Sequence, residues 1–309
     1  MKPQYTKADL ETYQFAGGLM TILADGAFTG GHYSLLLAHI PPGNTTPPHF
    51  HDTDSETLVI LGGAMMAETP DHSITLDRGT AAVLPPRQVH RLSNPRDDAA
   101  SYLLLCAPPG FEEFVRRAGT RVNESAALPR QMNEEDVRLM VEYAPEFGVR
   151  LTDGAELAHT TSNQVPNGPR ETFVAFGATI EILAHLEDDT GGIVLIRATA
   201  MSPDSGLPPR TASLATDVQF FAGTTGSNGS RHGTLASTFE PAMLAVTTGN
   251  VLRLLREDRV PEPVDADGGP LQKLLLVLTT LHATGGAELE DAADFAGDAP
   301  GATRGLPIR

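Results

Sequence analysis

Short apolar runs separated by turn residues dominate the chain. Residues 33–40 are rich in Leu, and residues 57–61, 80–84, 101–106, 193–200, 218–222, 243–247 and 273–281 repeat the pattern. Each run has the length of a strand, and most are bounded by Gly, Pro, Asp or Asn. Two stretches show helical spacing instead. Over 110–118, Phe111, Phe114 and Val115 share one face. Over 134–143, Val137, Met140 and Val141 repeat at intervals of three to four, after Asn133 as a candidate N-cap. Strands, then helices, then strands again predict an all-β protein of two domains joined by a short helical segment.

A weak internal repeat supports the two-domain reading. The segment from Pro41 to Pro48, followed by His49, is echoed 161 positions later by Ser202 to Pro209, followed by Arg210. Glu56 then falls on Asp217, and Val89-His90-Arg91-Leu92 falls on Val251-Leu252-Arg253-Leu254 with the offset one greater. The expected boundaries are 1–120 for the first domain, 121–165 for the helical linker, 166–285 for the second domain and 286–309 for an acidic tail. That tail region carries five acidic groups between 286 and 301 and no base, which reads as a solvated extension.

Composition narrows the functions open to the chain. It has 309 residues, 30 Gly and 24 Pro, which suits many turns. The net charge of −17, with no Lys/Arg-dense run, excludes nucleic acid as a partner and disfavours an anionic membrane surface. No apolar run approaches the ~20 residues of a membrane helix, and Met1 to Tyr5 carries no apolar signal core, so a cytoplasmic location is expected. One cysteine, Cys106, excludes an internal disulfide framework, and its apolar neighbours make it a small buried hydrophobe. Absent Trp leaves few large flat walls for a planar ligand.

Candidate chemistry is concentrated in one block: His49, His51, Glu56 and His90. On a strand, side chains at i and i+2 leave the same face roughly 6.6 Å apart along the chain. His49 and His51 can therefore converge on one ion, with Glu56 after a slight bend and His90 from a distant strand. Three imidazoles and one carboxylate suit Fe, Mn, Ni, Co, Cu or Zn and leave an open coordination position. The remaining histidines (His32, His72, His159, His185, His232 and His282) lack metal-type spacing, and His39 reads as a locally bonded strand residue. No nucleophile elbow and no phosphate-cradling glycine loop is present.

The spacing around these residues resembles that of the cupins. The first stretch reads Gly43, five residues, His49-Phe50-His51, four residues, Glu56, six residues, Gly63. The second reads Gly79, five residues, Pro85-Pro86-Arg87, two residues, His90, three residues, Asn94, departing from the family pattern at Arg87, where a turn glycine is usual. The resemblance implies a small jelly-roll β-barrel with a metal inside, held by His49, His51, Glu56 and His90, and two such barrels would make a bicupin. The repeat puts Arg210, Ala212, Asp217 and Leu252 at the ligand positions of the second barrel, so that half is expected to hold no metal and to be structural or dimer-building. The segments Pro108 to Phe114 and Glu142 to Phe147 further resemble the quercetin 2,3-dioxygenase group.

That resemblance implies one divalent transition metal, Fe first, with Ni, Mn, Co, Cu or Zn as alternatives. It also implies a small-molecule substrate, a hydroxylated aromatic or enol, cleaved with O2, and Glu56 as the proton acceptor. Tyr33, Leu58, Ile60, Met65 or Met66, and Phe114 are the expected pocket residues, and a homodimer is a possible assembly. Two alternatives stay open: a non-oxidative isomerase, cyclase or decarboxylase on the same metal, and a binding bicupin without chemistry.

Overall fold

A computed structural model describes residues 10–122, 128–157, 171–175, 177–186, 193–200, 219–222 and 242–257. The first half builds ten strands before its first helix: β1 (Glu11–Phe15), β2 (Gly18–Ala24), β3 (Ser34–Ile40), β4 (His49–His51), β5 (Ser55–Gly62), β6 (Ala64–Glu68), β7 (Ser73–Asp77), β8 (Ala81–Leu84), β9 (Arg91–Ser93) and β10 (Ala100–Ala107). Then come α1 (Phe111–Ala118), β11 (Thr120–Val122), α2 (Glu134–Tyr143), a 3-10 turn (Ala144–Phe147) and β12 (Val149–Leu151).

These strands form two facing antiparallel layers. One is a seven-stranded sheet in the order β11-β1-β2-β3-β10-β5-β8. The other combines β7-β6-β9 with β12-β4, stitched by isolated bridges between Thr45 and Ser93 and between His49 and His90. The layers close on a core that includes Leu36, Leu58, Ile60, Met65, Leu76 and Leu104. This is the jelly-roll expected of the first half.

The alternation of side chains explains the continuous apolar runs. On β3, β5 and β10, Leu36, Leu58 and Leu104 point into the barrel, while Leu35, Val59, Leu103 and Leu105 point out of it. The outward set is not solvated. It is covered by Leu183, Ala184 and Leu195, from a second sheet built of β13 (Glu171–Ala175), β14 (Ala178–Leu186), β15 (Ile193–Ala200), β16 (Gln219–Ala222) and β17 (Ala242–Thr248), in the order β13-β14-β15-β17-β16. A strand buried on both faces loses its polar alternation. Arg197 ties the two sheets by donating to the Gly79 carbonyl (2.7 Å) while its other nitrogens pair with Glu181 (2.6 and 2.9 Å).

α1 places Phe111, Phe114 and Val115 inward as its spacing predicts, and Phe15 meets both rings edge-on at 5.9 and 5.0 Å. α2 starts in a capping box in which Asn133 and Asp136 exchange side-chain and backbone bonds. Its expected face needs correction: Met140 is buried, but Val137 and Val141 are 40% and 52% exposed. The helix presents Leu139, Met140 and Tyr143 to the core instead.

A second correction concerns the repeat. Leu252, aligned with His90, lies on α3 (Gly249–Arg256), a helix following β17, and not on a barrel strand. The expected counterparts Arg210, Ala212 and Asp217, the run 273–281 and the acidic tail lie outside the described residues. Among the described residues no helix is long and apolar enough to cross a membrane.

Candidate metal centre

β4 is three residues long, and its pleat turns His49 and His51 inward and Phe50 outward. Each strand neighbour holds this segment in place. β12 pairs with it in the register His51 to Val149 and His49 to Leu151, and His49 and His90 exchange backbone bonds of 2.9 and 2.8 Å. Glu56 opens β5, opposite Cys106 on one side and Leu84 on the other. One ligand atom from each of His49, His51, Glu56 and His90 falls within 4.8 Å of all the others, and all four residues are buried.

Hydrogen bonding decides which nitrogen faces the centre. His49 Nδ1 lies 2.8 Å from the Pro47 carbonyl, and His90 Nδ1 lies 2.9 Å from the Gln88 carbonyl. A carbonyl only accepts, so these Nδ1 atoms carry the proton and the Nε2 lone pairs point inward. His51 Nδ1 meets the Asp54 carboxylate at 2.6 Å, which fixes the same tautomer. At the centre, His51 Nε2, His90 Nε2 and Glu56 Oε2 are buried without a hydrogen bond, although Oε2 stands only 2.9 Å from His90 Nε2 and 3.8 Å from His51 Nε2. Orphaned buried acceptors are costly unless something joins them. A divalent transition ion would satisfy these three at once, and with His49 the N3O donor set fits one.

Electrostatics agrees with a cluster poised for a cation. Burial, and then His90, push His49 down to about 3, so it stays a neutral ligand. Burial alone would raise Glu56, but His51, with His90 and His49 behind it, holds it at about 2. Burial lowers His51, yet Glu56 and Asp54 outweigh this and raise it.

The turn that carries His90 explains the departure at Arg87. Arg87 adopts φ 64°, the left-handed conformation a glycine takes without cost, and its N–H donates to the His51 carbonyl at 2.8 Å. The backbone geometry is therefore kept and the arginine bears the strain. Gly43 and Asn94, which close the two motifs, serve the scaffold: Gly43 N–H donates to the Asn94 carbonyl, and the Asn94 amide bonds the carbonyls of Ile40, Pro41 and Asp98.

A cavity of about 40 Å³ opens beside His49 and Glu56. Its wall is mostly apolar, with Phe111 and Phe114 from α1 and Phe15, Met20 and Leu104 from the sheet. Met140 of α2 and Val149 and Leu151 of β12 complete it, so the segment following the first barrel roofs the site.

Of the expected pocket residues, Phe114 lines this cavity. Leu58 and Ile60 are in the barrel core without reaching the cavity wall. Met65 points inward and Met66, its neighbour on β6, points the other way and is half-buried. Tyr33 belongs to the outer cluster between the barrel and the second sheet. His39 shares that outward parity on β3, away from the centre. Asp54, Tyr102, Phe111 and Met140 were not expected. The available signal for Tyr102 was parity, since it alternates with Leu104 and Cys106 on one strand.

Residues 36–106 match the family model described as the cupin domain. The match covers the strands from β3 to β10 that carry His49, His51, Glu56 and His90. No curated protein matches the chain. Among solved structures it is similar to KdgF from Halomonas sp., at 17% identity over 37% of this chain and 99% of that one, with a TM-score of 0.32. It is also similar to a sugar phosphate isomerase of the cupin superfamily from Silicibacter pomeroyi, at 22% identity over 30% and 61%, with a TM-score of 0.27. Oxalate oxidase in complex with glycolate stands at 24% identity over 30% and 52%, with a TM-score of 0.27.

Proposed function

We propose that this cupin is a metal-dependent dioxygenase that holds one divalent transition ion on His49, His51, Glu56 and His90 and cleaves a hydroxylated aromatic or enol substrate with O2. The observation that carries the reading is the buried cluster of three imidazoles and one carboxylate, in which His51 Nε2, His90 Nε2 and Glu56 Oε2 have no hydrogen bond, at the edge of an apolar cavity. When bound, such an ion supplies Lewis acidity and, if redox-active, electrons for O2 chemistry.

The chain's own residues have three tasks. The carbonyls of Pro47 and Gln88, with Asp54, lock the imidazoles so that no rotation is needed on binding. Glu56 is ionised and buried, and its carboxylate can take the proton of a substrate hydroxyl placed within hydrogen-bond reach. Phe15, Phe111, Phe114 and Met140 exclude water, which lengthens the life of an electron-rich substrate and suppresses side reactions. A cavity of about 40 Å³ favours a compact substrate over a flavonol, so the enol class suits it better than the quercetinase-like substrate.

One observation favours a second reading. Glu56 and the Tyr102 hydroxyl both reach the cavity, and a carboxylate base facing a weak acid suits proton transfer without O2. That would make the protein an isomerase or a related non-oxidative enzyme. An oxygen electrode separates the two. Protein loaded in turn with Fe(II), Mn(II), Ni(II) and Co(II), and given a panel of enols, enediols and catechols, should consume O2. Turnover that persists at the same rate without O2 would overturn the dioxygenase reading in favour of the isomerase.

A further inference from the structure

The polar inventory of the cavity limits what it can receive. No Lys or Arg lines it. With a divalent ion in place, the Glu56 carboxylate leaves one net positive charge in an otherwise apolar, largely dry space. A second anionic group on the substrate would be buried without a partner, which costs several kcal/mol. The volume of about 40 Å³ holds roughly three waters, so it suits a small ligand.

One further polar group faces this space. Tyr102 lines the cavity, is 3% exposed, and its hydroxyl makes no hydrogen bond to any described residue. Thr46, the other hydroxyl in the lining, is already engaged, accepting from the Leu92 N–H at 3.0 Å. A hydroxyl at a cavity wall that no protein group engages is free to bond a ligand atom placed there.

We infer that the cavity takes a compact, singly anionic oxygen chelator with an apolar body, and that the Tyr102 hydroxyl donates a hydrogen bond to its oxygen. Phosphorylated substrates and dicarboxylates are excluded. This deepens the reading of the site as a metal centre and depends on it, because the ion provides the charge that the chelator balances. Tyr102 sits on β10, a central strand held by β3 and β5 on either side, so its hydroxyl is presented from a rigid position.

The test uses the full chain loaded with Co(II), whose visible bands report ligands. Acetohydroxamate is the compact singly anionic probe, and phosphoglycolate and oxalate are the more highly charged ones. Wild-type protein should bind acetohydroxamate at least tenfold more tightly than either. Tyr102→Phe should keep one Co(II) per chain, lose about tenfold or more in acetohydroxamate affinity, and bind 1-methylimidazole, which offers no oxygen, as before. A structural defect would weaken both ligands together. Equal or tighter binding of phosphoglycolate by wild-type protein would overturn the substrate class whether or not the variant folds. Unchanged acetohydroxamate affinity in Tyr102→Phe would overturn the role of the tyrosine. If wild-type protein holds no Co(II), the metal-centre reading falls and takes this inference with it; retention of the ion with either negative result sinks the inference alone.

Discussion

Imidazole has two nitrogens, and the behaviour of this site depends on where the second one is anchored. Pro47 and Gln88 anchor His49 and His90 through backbone carbonyls that mutation cannot easily remove. His51 depends on a side chain, Asp54, at 2.6 Å. Asp54→Ala should therefore lower metal affinity about 10- to 100-fold in a chelator competition, while Asp54→Asn, whose amide oxygen still accepts from Nδ1, should lose less. Which acid would serve was not legible in His51-Asp52-Thr53-Asp54, because both aspartates are within reach of the histidine. The fold decides it by turning Asp52 outward to Arg150, 2.8 Å away. That His49, His51, Glu56 and His90 would cluster was legible because their spacing is imposed by the strand pleat and by two turns.

The same residues set a pH dependence in the metal-free protein. His49 titrates at about 3 in the fold and near 6.5 when unfolded. The unfolded chain therefore binds the extra proton first, so the contribution of His49 is full above pH 6.5 and is lost as pH falls towards 3. His51, raised in the fold, acts in the opposite sense, contributing below its unfolded value and losing that contribution as pH rises through its folded one. Chelator-treated protein should show a melting temperature that falls as the pH is lowered from 6.5 to 4. His49→Gln should flatten that fall, and an unchanged slope in the variant would refute the assignment.

Among the elements, the turn before His90 is where sequence and structure are most informatively at odds. Arg87 occupies a left-handed position that costs an L-residue about 1–2 kcal/mol. A glycine there removes the strain but adds about 0.4–1 kcal/mol of freedom to the unfolded chain. Arg87→Gly should therefore raise the melting temperature by only about 1–3 °C and leave metal binding unchanged. Arg87→Val, which worsens the strain, should lower it. Calorimetry on the two variants checks the sign of each. The strands with Leu-rich runs were legible, but β1 and β2 were missed. Their hairpin turns at Ala16 and Gly17, both left-handed, and Ala-Gly lacks the Asn or Asp that advertises such a turn. α2 was read correctly as a helix but not in its orientation, because the helix spacing does not say how wide a face its neighbours will cover.

The molecule as a whole shows how a chain rich in uninterrupted apolar strands buries both faces of one sheet. The inward faces of β3, β5 and β10 enclose the barrel core beside the His49, His51, Glu56 and His90 cluster, and the outward faces pack on the second sheet, so the two are separated by the thickness of one sheet. The repeat anticipated further strands in the second half, yet its register drifts, since Leu252 ends on a helix where His90 has a strand-end position. The separation of faces leads to a definite expectation. Leu195 is 3% exposed and packs in the cluster of Leu35, Val59, Leu103 and Leu105. Leu195→Ala should cost about 2–5 kcal/mol in denaturant unfolding, as other large-to-small core changes do. It touches neither His49, His51, Glu56 nor His90, so the folded fraction should bind one ion per chain with wild-type affinity. Ion affinity that falls in step with stability, measured well below the unfolding midpoint, would mean that the outer sheet shapes the centre through β5 and β10, and that the two faces are mechanically one unit.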